Sequence, residues 1–254
     1  MSDQFDITLL KRIISLLDLT TLEGTDNEIT IENLCQRALV FGEKGLPMPA
    51  AICIYPPFVR KAKQLLSGTD IRIATVTGFF PSGQAPLFLK IEEVKFAIGE
   101  GADELDMVIS RGKLLEGEDA FVYDEIAAIR EVAVNKNLKV ILETGELKVP
   151  EMIRKASEIA IAAGADFIKT STGKYLPAST EEAASIMLNV IREQFIKTGR
   201  KTGFKPAGGI ADPLQAMRYF TLVKQILGED WLTKDLFRIG ASRLADNLMK
   251  EIVA

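Results

Sequence analysis

Gly101-Ala102-Asp103-Glu104-Leu105-Asp106 and Gly164-Ala165-Asp166-Phe167-Ile168-Lys169 follow one pattern, and their reading decides the fold. Each leaves a helical stretch through glycine, the residue suited to a left-handed turn after a helix, and enters an apolar run through Ala-Asp. The same alternation of short β-rich runs and helical patterns extends in both directions with no long Pro/Gly/Ser linker. Predicted strands are residues 16–19, 50–55, 71–77, 104–109, 138–143, 167–171, 202–205 and 237–239. Predicted helices include residues 27–40, 87–100, 120–135, 150–163, 180–198 and 213–227, and residues 1–14 form an amphipathic helix ahead of the first strand. Eight parallel βα units in 254 residues predict an α/β chain folded as a TIM (β/α)8 barrel with an extra N-terminal helix, a single domain over 1–254. A doubly wound open sheet is the structural alternative.

If the two copies share one backbone geometry, Asp106 and Lys169, at the same offset from their glycines, sit at matching depth on the fourth and sixth strands. Alternate barrel strands supply side chains to one layer, so an anion and a cation face each other across the interior.

The chain has no histidine. Ser-His-Asp hydrolysis, Cys-His proteolysis, and zinc or iron sites that depend on imidazole are thereby excluded, and acid–base chemistry falls to Lys, Asp, Glu, Tyr or Cys. A net charge of −4, from 31 Lys plus Arg against 35 Asp plus Glu, without a basic block, argues against nucleic acid or an anionic membrane as partner. No apolar run approaches the ~18 residues of a membrane span, and the first residues lack a signal peptide's pattern. Cys35 and Cys53 make neither a disulfide framework nor a metal motif, which predicts a reducing, cytoplasmic location. Cys35 reads as helix core. Trp231, among Lys224, Glu229, Asp230, Lys234 and Asp235, reads as part of a solvated helix and loop region.

Candidate functional residues gather at the predicted C-terminal mouth. Lys169 stands inside an apolar strand where a solvated lysine has no reason to be, and Lys205, in Gly203-Phe204-Lys205-Pro206, repeats the anomaly on the next. Strand lysines can also reach solvent at a strand end or point outward against a helix. A lysine at its ordinary pKa of about 10.4 is neutral at pH 7 in only ~4 molecules per ten thousand, so it is a poor nucleophile. Bringing it to ~7 takes roughly 4.6 kcal/mol of differential interaction, within reach of a dry site beside a like charge. Lys169 is thus a candidate imine-forming amine and Lys205 its electrostatic activator. Asp106 is a candidate proton-transfer group, or a structural ion-pair partner.

Gly208-Gly209 after the seventh strand and Gly240-Ala241-Ser242 after the eighth stand where this fold commonly binds phosphate. There Ser242 is read as opening the last helix, and glycine lets backbone N–H groups approach an anion. Thr170, Ser171, Thr172 and Gly173 form a small, donor-rich turn directly after Lys169. Lys174 adds charge there or is a solvated loop lysine, and Arg243 assists an anion or points outward. Asp18 holds a substrate hydroxyl or bonds to its own loop, and Cys53 lines the barrel; both, with Thr170, Ser171 and Gly173, are candidate substrate contacts.

At these residues the sequence resembles the deoxyribose-phosphate aldolases, class I aldolases on a TIM barrel. The resemblance runs from Leu17-Asp18-Leu19-Thr20-Thr21 through Ala50-Ala51-Ile52-Cys53-Ile54-Tyr55-Pro56, Gly101 to Asp106 and Glu143-Thr144-Gly145-Glu146-Leu147. It continues through Phe167 to Lys174 and Gly203 to Gly209, ending at Arg238-Ile239-Gly240-Ala241-Ser242. It implies that Lys169 forms a Schiff base, that Lys205 and Asp106 serve activation and proton relay, and that Gly208, Gly209 and Ser242 help hold a sugar phosphate. It further implies cleavage of 2-deoxy-D-ribose 5-phosphate to glyceraldehyde 3-phosphate and acetaldehyde, no cofactor or metal, and a homodimer. The rival readings are another imine-forming sugar-phosphate aldolase or transaldolase, and a non-catalytic sugar-phosphate-binding barrel. Two departures stand out. Thr77-Gly78-Phe79-Phe80-Pro81-Ser82-Gly83 has two aromatics before proline, one more than usual, which is expected to affect substrate fit. The chain ends Lys250-Glu251-Ile252-Val253-Ala254 without the tyrosine tail some members use in proton transfer, so a tail-dependent step is expected to be slower or done otherwise.

Overall fold

The computed structural model describes residues 6–253. After α1 (Ile7–Ile14), eight parallel strands follow: β1 (Leu17–Thr20), β2 (Ala51–Ile54), β3 (Arg72–Thr77), β4 (Glu104–Val108), β5 (Asn137–Ile141), β6 (Phe167–Lys169), β7 (Gly203–Lys205) and β8 (Ile239–Ala241). Helices alternate with them: α2 (Glu28–Glu43), α3 (Val59–Leu65), α4 (Leu87–Gly99), α5 (Arg111–Leu115), α6 (Asp119–Val132), α7 (Thr144–Leu147), α8 (Pro150–Ala162), α9 (Glu181–Thr198), α10 (Pro213–Leu227) and α11 (Leu244–Val253). The sheet runs β7-β6-β5-β4-β3-β2-β1-β8. Parallel bridges Phe204 to Phe237 and Ala207 to Gly240 join its two ends. This is the TIM barrel.

At that seam Phe204 N–H donates to Leu236 O (2.9 Å), Arg238 N–H to Phe204 O (3.1 Å) and Gly240 N–H to Pro206 O (2.9 Å). Pro206 has no N–H to return, so the ladder is sparse there and strand β8 begins at Ile239, two residues later than the sequence suggests. The predicted helix over residues 1–14 is seen as Ile7–Ile14, with Asp6 capping the N–H groups of Thr8 and Leu9. Its first five residues lie outside the described part. Helix α1 packs on α10 and α11, beside the seam. Asn27, Thr180 and Asp212 likewise cap α2, α9 and α10. Among the described residues, no helix is long and apolar enough to cross a membrane.

The main apolar core lies between the strands and their helices. The barrel interior divides into two parts. On the β2–β3 side small apolar residues, Ala51, Cys53, Ala74 and Val76, pack together with Leu22, and on the other side charges fill the space. Trp231 corrects the reading of its region as solvated. It is only 4% exposed, its indole N–H donates to Thr202 O at 3.0 Å, and Phe195 meets it edge-on at 5.0 Å. An amphipathic ring with a satisfied polar tip belongs inside, whatever the charges beside it in sequence.

Candidate active site

Seven charged side chains meet inside the barrel. Asp18, Glu104, Asp106, Lys139, Lys205 and Arg238 are fully buried, and Lys169 is 3% exposed. Glu104 and Asp106, two apart on β4, project to the same face. Six of the seven close a ring. Lys139 Nζ bonds Asp106 Oδ1 (2.9 Å) and Glu104 Oε2 (2.5 Å). Glu104 Oε1 accepts from Arg238 Nη2 (2.7 Å), and Asp18 Oδ1 from Arg238 Nη1 (2.5 Å). Asp18 Oδ2 accepts from Lys205, whose Nζ also reaches Asp106 Oδ2 at 2.7 Å. Lys169 Nζ joins from outside the ring, 2.8 Å from the same Asp106 Oδ2. Arg72 ties Glu104 (3.0 Å) to Asp235 (2.6 Å) at the opposite end of the barrel from the mouth.

The strand register explains the convergence. Asp106 lies beside Lys139, Ile141 beside Lys169, and Lys169 beside Lys205. Burial alone would push the Asp106 pKa up, but Lys139, Lys169 and Lys205 outweigh it and hold the carboxyl well below its usual range. Asp18 and Glu104 are lowered in the same way, against burial, by Lys205 and Arg238 and by Lys139 and Arg238 respectively. Burial would lower Lys205, yet Asp106 and Asp18 raise it above an ordinary lysine, so it remains an ammonium. Three carboxylates face three cations in the ring. The ring therefore stays balanced when Lys169 is neutral, the state in which an amine attacks a carbonyl.

Lys169 forms the floor of a cleft of about 140 Å³, whose walls include Thr172, Lys174, Gly208, Gly209, Gly240 and Ser242. That is room for several waters or a phosphate-sized anion. Gly208 has φ +89°, and a Cβ there would lie 2.6 Å from Ala178 Cβ and 2.9 Å from Gly173 Cα. Only glycine lets these two loops touch. Arg243 lines the cleft as well, and Lys174 pairs with Glu23 across it at 2.9 Å.

The structure places the other candidates as follows. Asp18, Cys53, Thr170 and Ser171 are fully buried and, like Asp106 and Lys205, lie behind the residues that line the cleft. Both Asp18 oxygens are spent on the ring. Cys53 Sγ lies 3.9 Å from Asp106 Oδ2, and burial followed by the Asp106 charge pushes its thiol pKa up. The Thr170 hydroxyl exchanges bonds with Ala207 N (3.0 Å) and O (3.3 Å), clamping β6 to β7. The Ser171 hydroxyl has no partner. Ser242 lines the cleft but does not open the last helix, which begins at Leu244. In the longer loop, Phe79 turns outward at 38% exposure, and Phe80 packs edge-on against Tyr55 at 6.0 Å.

Sequence reasoning passed over Lys139, Glu104 and Arg238. The signal that exposed Lys169, a charge inside an apolar strand, was equally present in Leu138-Lys139-Val140 and Phe237-Arg238-Ile239.

The fold and site define a (β/α)8 barrel with a nearly buried lysine, backed by carboxylates, at the floor of a glycine-walled cleft. A family model described as DeoC/LacD family aldolase matches residues 12–223. The chain is 42% identical over 256 aligned positions to the deoxyribose-phosphate aldolases of Mus musculus and Homo sapiens, covering 96% of this chain and 80% of each relative. A deoxyribose phosphate aldolase from Aeropyrum pernix, solved as a tetramer, superposes with a TM-score of 0.77 at 25% identity, covering 96% of this chain and 92% of that one. The chain belongs to the DeoC/LacD aldolase family and is an aldolase.

Proposed function

We propose that this chain, a single domain, is a cytoplasmic class I aldolase that reversibly cleaves 2-deoxy-D-ribose 5-phosphate to D-glyceraldehyde 3-phosphate and acetaldehyde. The observation that carries the reading is Lys169 at the cleft floor, with its amine on a carboxylate shared with Lys205. Neutral Lys169 attacks the C1 aldehyde of the open-chain sugar, and loss of water gives a protonated imine. Asp106, directly or through a water, takes the proton of the C3 hydroxyl. The C2–C3 electrons flow into the iminium, glyceraldehyde 3-phosphate departs and an enamine remains on Lys169. Protonation at C2 and hydrolysis release acetaldehyde.

The depressed pKa of Asp106 makes it a poor long-term holder of that proton, so it passes the proton on and otherwise stabilises the neighbouring cations. The imine supplies the polarisation that a metal gives other aldolases, so the reaction asks for neither metal nor cofactor. Gly173, Lys174, Gly208, Gly209, Gly240 and Ser242 hold the substrate phosphate far from the breaking bond, where its binding energy orients the reacting end. Nucleic acid and membrane are not partners in this reading, and the working form is a homodimer, checked by light scattering. Release of glyceraldehyde 3-phosphate from 2-deoxyribose 5-phosphate, followed in a coupled assay, tests the whole; no release by folded protein refutes it.

Lys205→Leu removes a cation that shares Asp106 with the nucleophile. Turnover is expected to fall about 10²-fold, and the pH–rate profile to change shape, because one of the cations bonded to Asp106 Oδ2 is gone. A profile of unchanged shape counts against Lys205 as activator.

A further inference from the structure

Outside the ring, two buried carboxylates stand unused by the mechanism among the described residues: Glu125, which is paired with Lys90 and Ser110, and Glu143, where β5 turns into α7. Glu143 is fully buried and has φ +57°, a left-handed conformation that costs a residue with a side chain and persists where its surroundings impose it. Its carboxylate does one thing. The Thr172 backbone N–H faces both oxygens, at 3.3 and 3.2 Å, and the Thr172 hydroxyl donates to Oε2. That hydroxyl in turn accepts from the Lys174 N–H at 3.1 Å.

The rest of the turn grips the same loop. Leu142 N–H donates to Lys169 O at 3.0 Å and Thr144 N–H to Thr170 O at 2.9 Å. Gly145 lies so close to Pro177 that a Cβ there would fall 1.9 Å from the Pro177 carbonyl oxygen. The loop after β6 is thus moulded from Lys169 to Pro177 on the end of β5. Its stretch Thr172-Gly173-Lys174 forms one wall of the cleft. A carboxylate behind an anion-binding wall opposes the anion by charge, so its value lies in geometry.

We propose that Glu143 is a positioning residue for Thr172-Gly173-Lys174, and that by fixing this wall it sets the enzyme's selectivity for phosphorylated over unphosphorylated substrate. The proposal rests on reading the cleft as the phosphate site. Its mechanism is hydrogen bonding: Oε2 accepts from both Thr172 donors and Oε1 also faces the Thr172 N–H, so an amide keeps the shared acceptor but loses the charge that strengthens those bonds and turns its NH2 toward that N–H.

The test is the ratio of kcat/KM for 2-deoxy-D-ribose 5-phosphate to that for 2-deoxy-D-ribose. Glu143→Gln and Thr172→Val are each expected to lower this ratio about tenfold, and Thr172→Ser, which keeps the hydroxyl, to return it to within about twofold of wild type. Equal losses on both substrates, or a valine variant indistinguishable from serine, overturn the proposal. Should Glu143→Gln fail to fold by thermal melting, the two Thr172 variants decide the matter. Lys174→Met separates the underlying reading, because it must lower the ratio if the cleft binds phosphate. A ratio unmoved there overturns the phosphate reading and this proposal with it, whereas a ratio that falls there but not in the Glu143 and Thr172 variants overturns this proposal alone.

Discussion

Lys169→Met is expected to lower turnover of 2-deoxyribose 5-phosphate by at least about 10³-fold while leaving the protein folded, because it removes the nucleophile itself. The substitution is unusually clean here. Methionine has a similar length and fills the same space, and Asp106 keeps Lys139 at 2.9 Å and Lys205 at 2.7 Å when the third amine is gone. No buried carboxylate is orphaned, and the ring stays at three carboxylates against three cations. Loss of activity with an unshifted melting temperature therefore reports lost chemistry. Borohydride with acetaldehyde should leave a two-carbon adduct on Lys169 of the wild-type protein and none in the variant. An adduct on Lys139 or Lys205 instead, or substantial activity in the variant, would sink the assignment.

The barrel was legible because parallel strands buried on both faces read as compact apolar runs, and because glycine ends helices for a local reason that the sequence displays. Lys169, Lys205 and Asp106 stood out for the same local reason, a charge where an apolar side chain was expected. What stayed hidden depends on closure. That Lys139 meets Glu104 and Asp106 follows from the β4–β5 register, and that Arg238 reaches both Asp18 and Glu104 follows from joining the first strand to the eighth, a pairing separated by almost the entire chain. Asp18 shows the effect most plainly. Its local options are a substrate hydroxyl or its own loop, and the barrel adds a third that the local sequence does not display: it bridges Lys205 and Arg238. Pro206 shifted the eighth strand for a reason visible only once its neighbour was known. The Glu143 turn carries part of the family resemblance, but its contacts depend on the loop after β6 folding back onto it.

Arg238→Met is expected to destabilise the fold by about 3 to 5 kcal/mol at neutral pH, the cost of removing one cation from a buried charge network. At roughly 2 to 4 °C per kcal/mol for a chain of this size, the melting temperature falls by about 6 to 20 °C. Asp18 would keep Lys205, and Glu104 would keep Lys139 and Arg72, so the damage is a loss of compensation rather than two bare anions. The pH dependence identifies the cause. Asp18, Glu104 and Asp106 all have folded-state pKa values below those of the unfolded chain. Their contribution is present above the unfolded values near pH 4 and is lost as pH falls through the folded ones, because below pH ~4 the unfolded chain binds more protons. Wild-type stability should therefore fall steeply below about pH 4. Without Arg238, Asp18 and Glu104 are depressed less, the acid branch is shallower, and the gap between the two proteins narrows from pH 6 to pH 3. Lys205 acts in the opposite direction: its folded pKa is raised, so its stabilisation is complete below about 10.4 and is lost only as pH climbs past the folded value. It adds no slope in the acid range. Urea melts of both proteins across that range measure the gap directly. A gap of constant size would mean that Arg238 supports the barrel through packing of its side chain, and that the ring's charges are not what its removal disturbs.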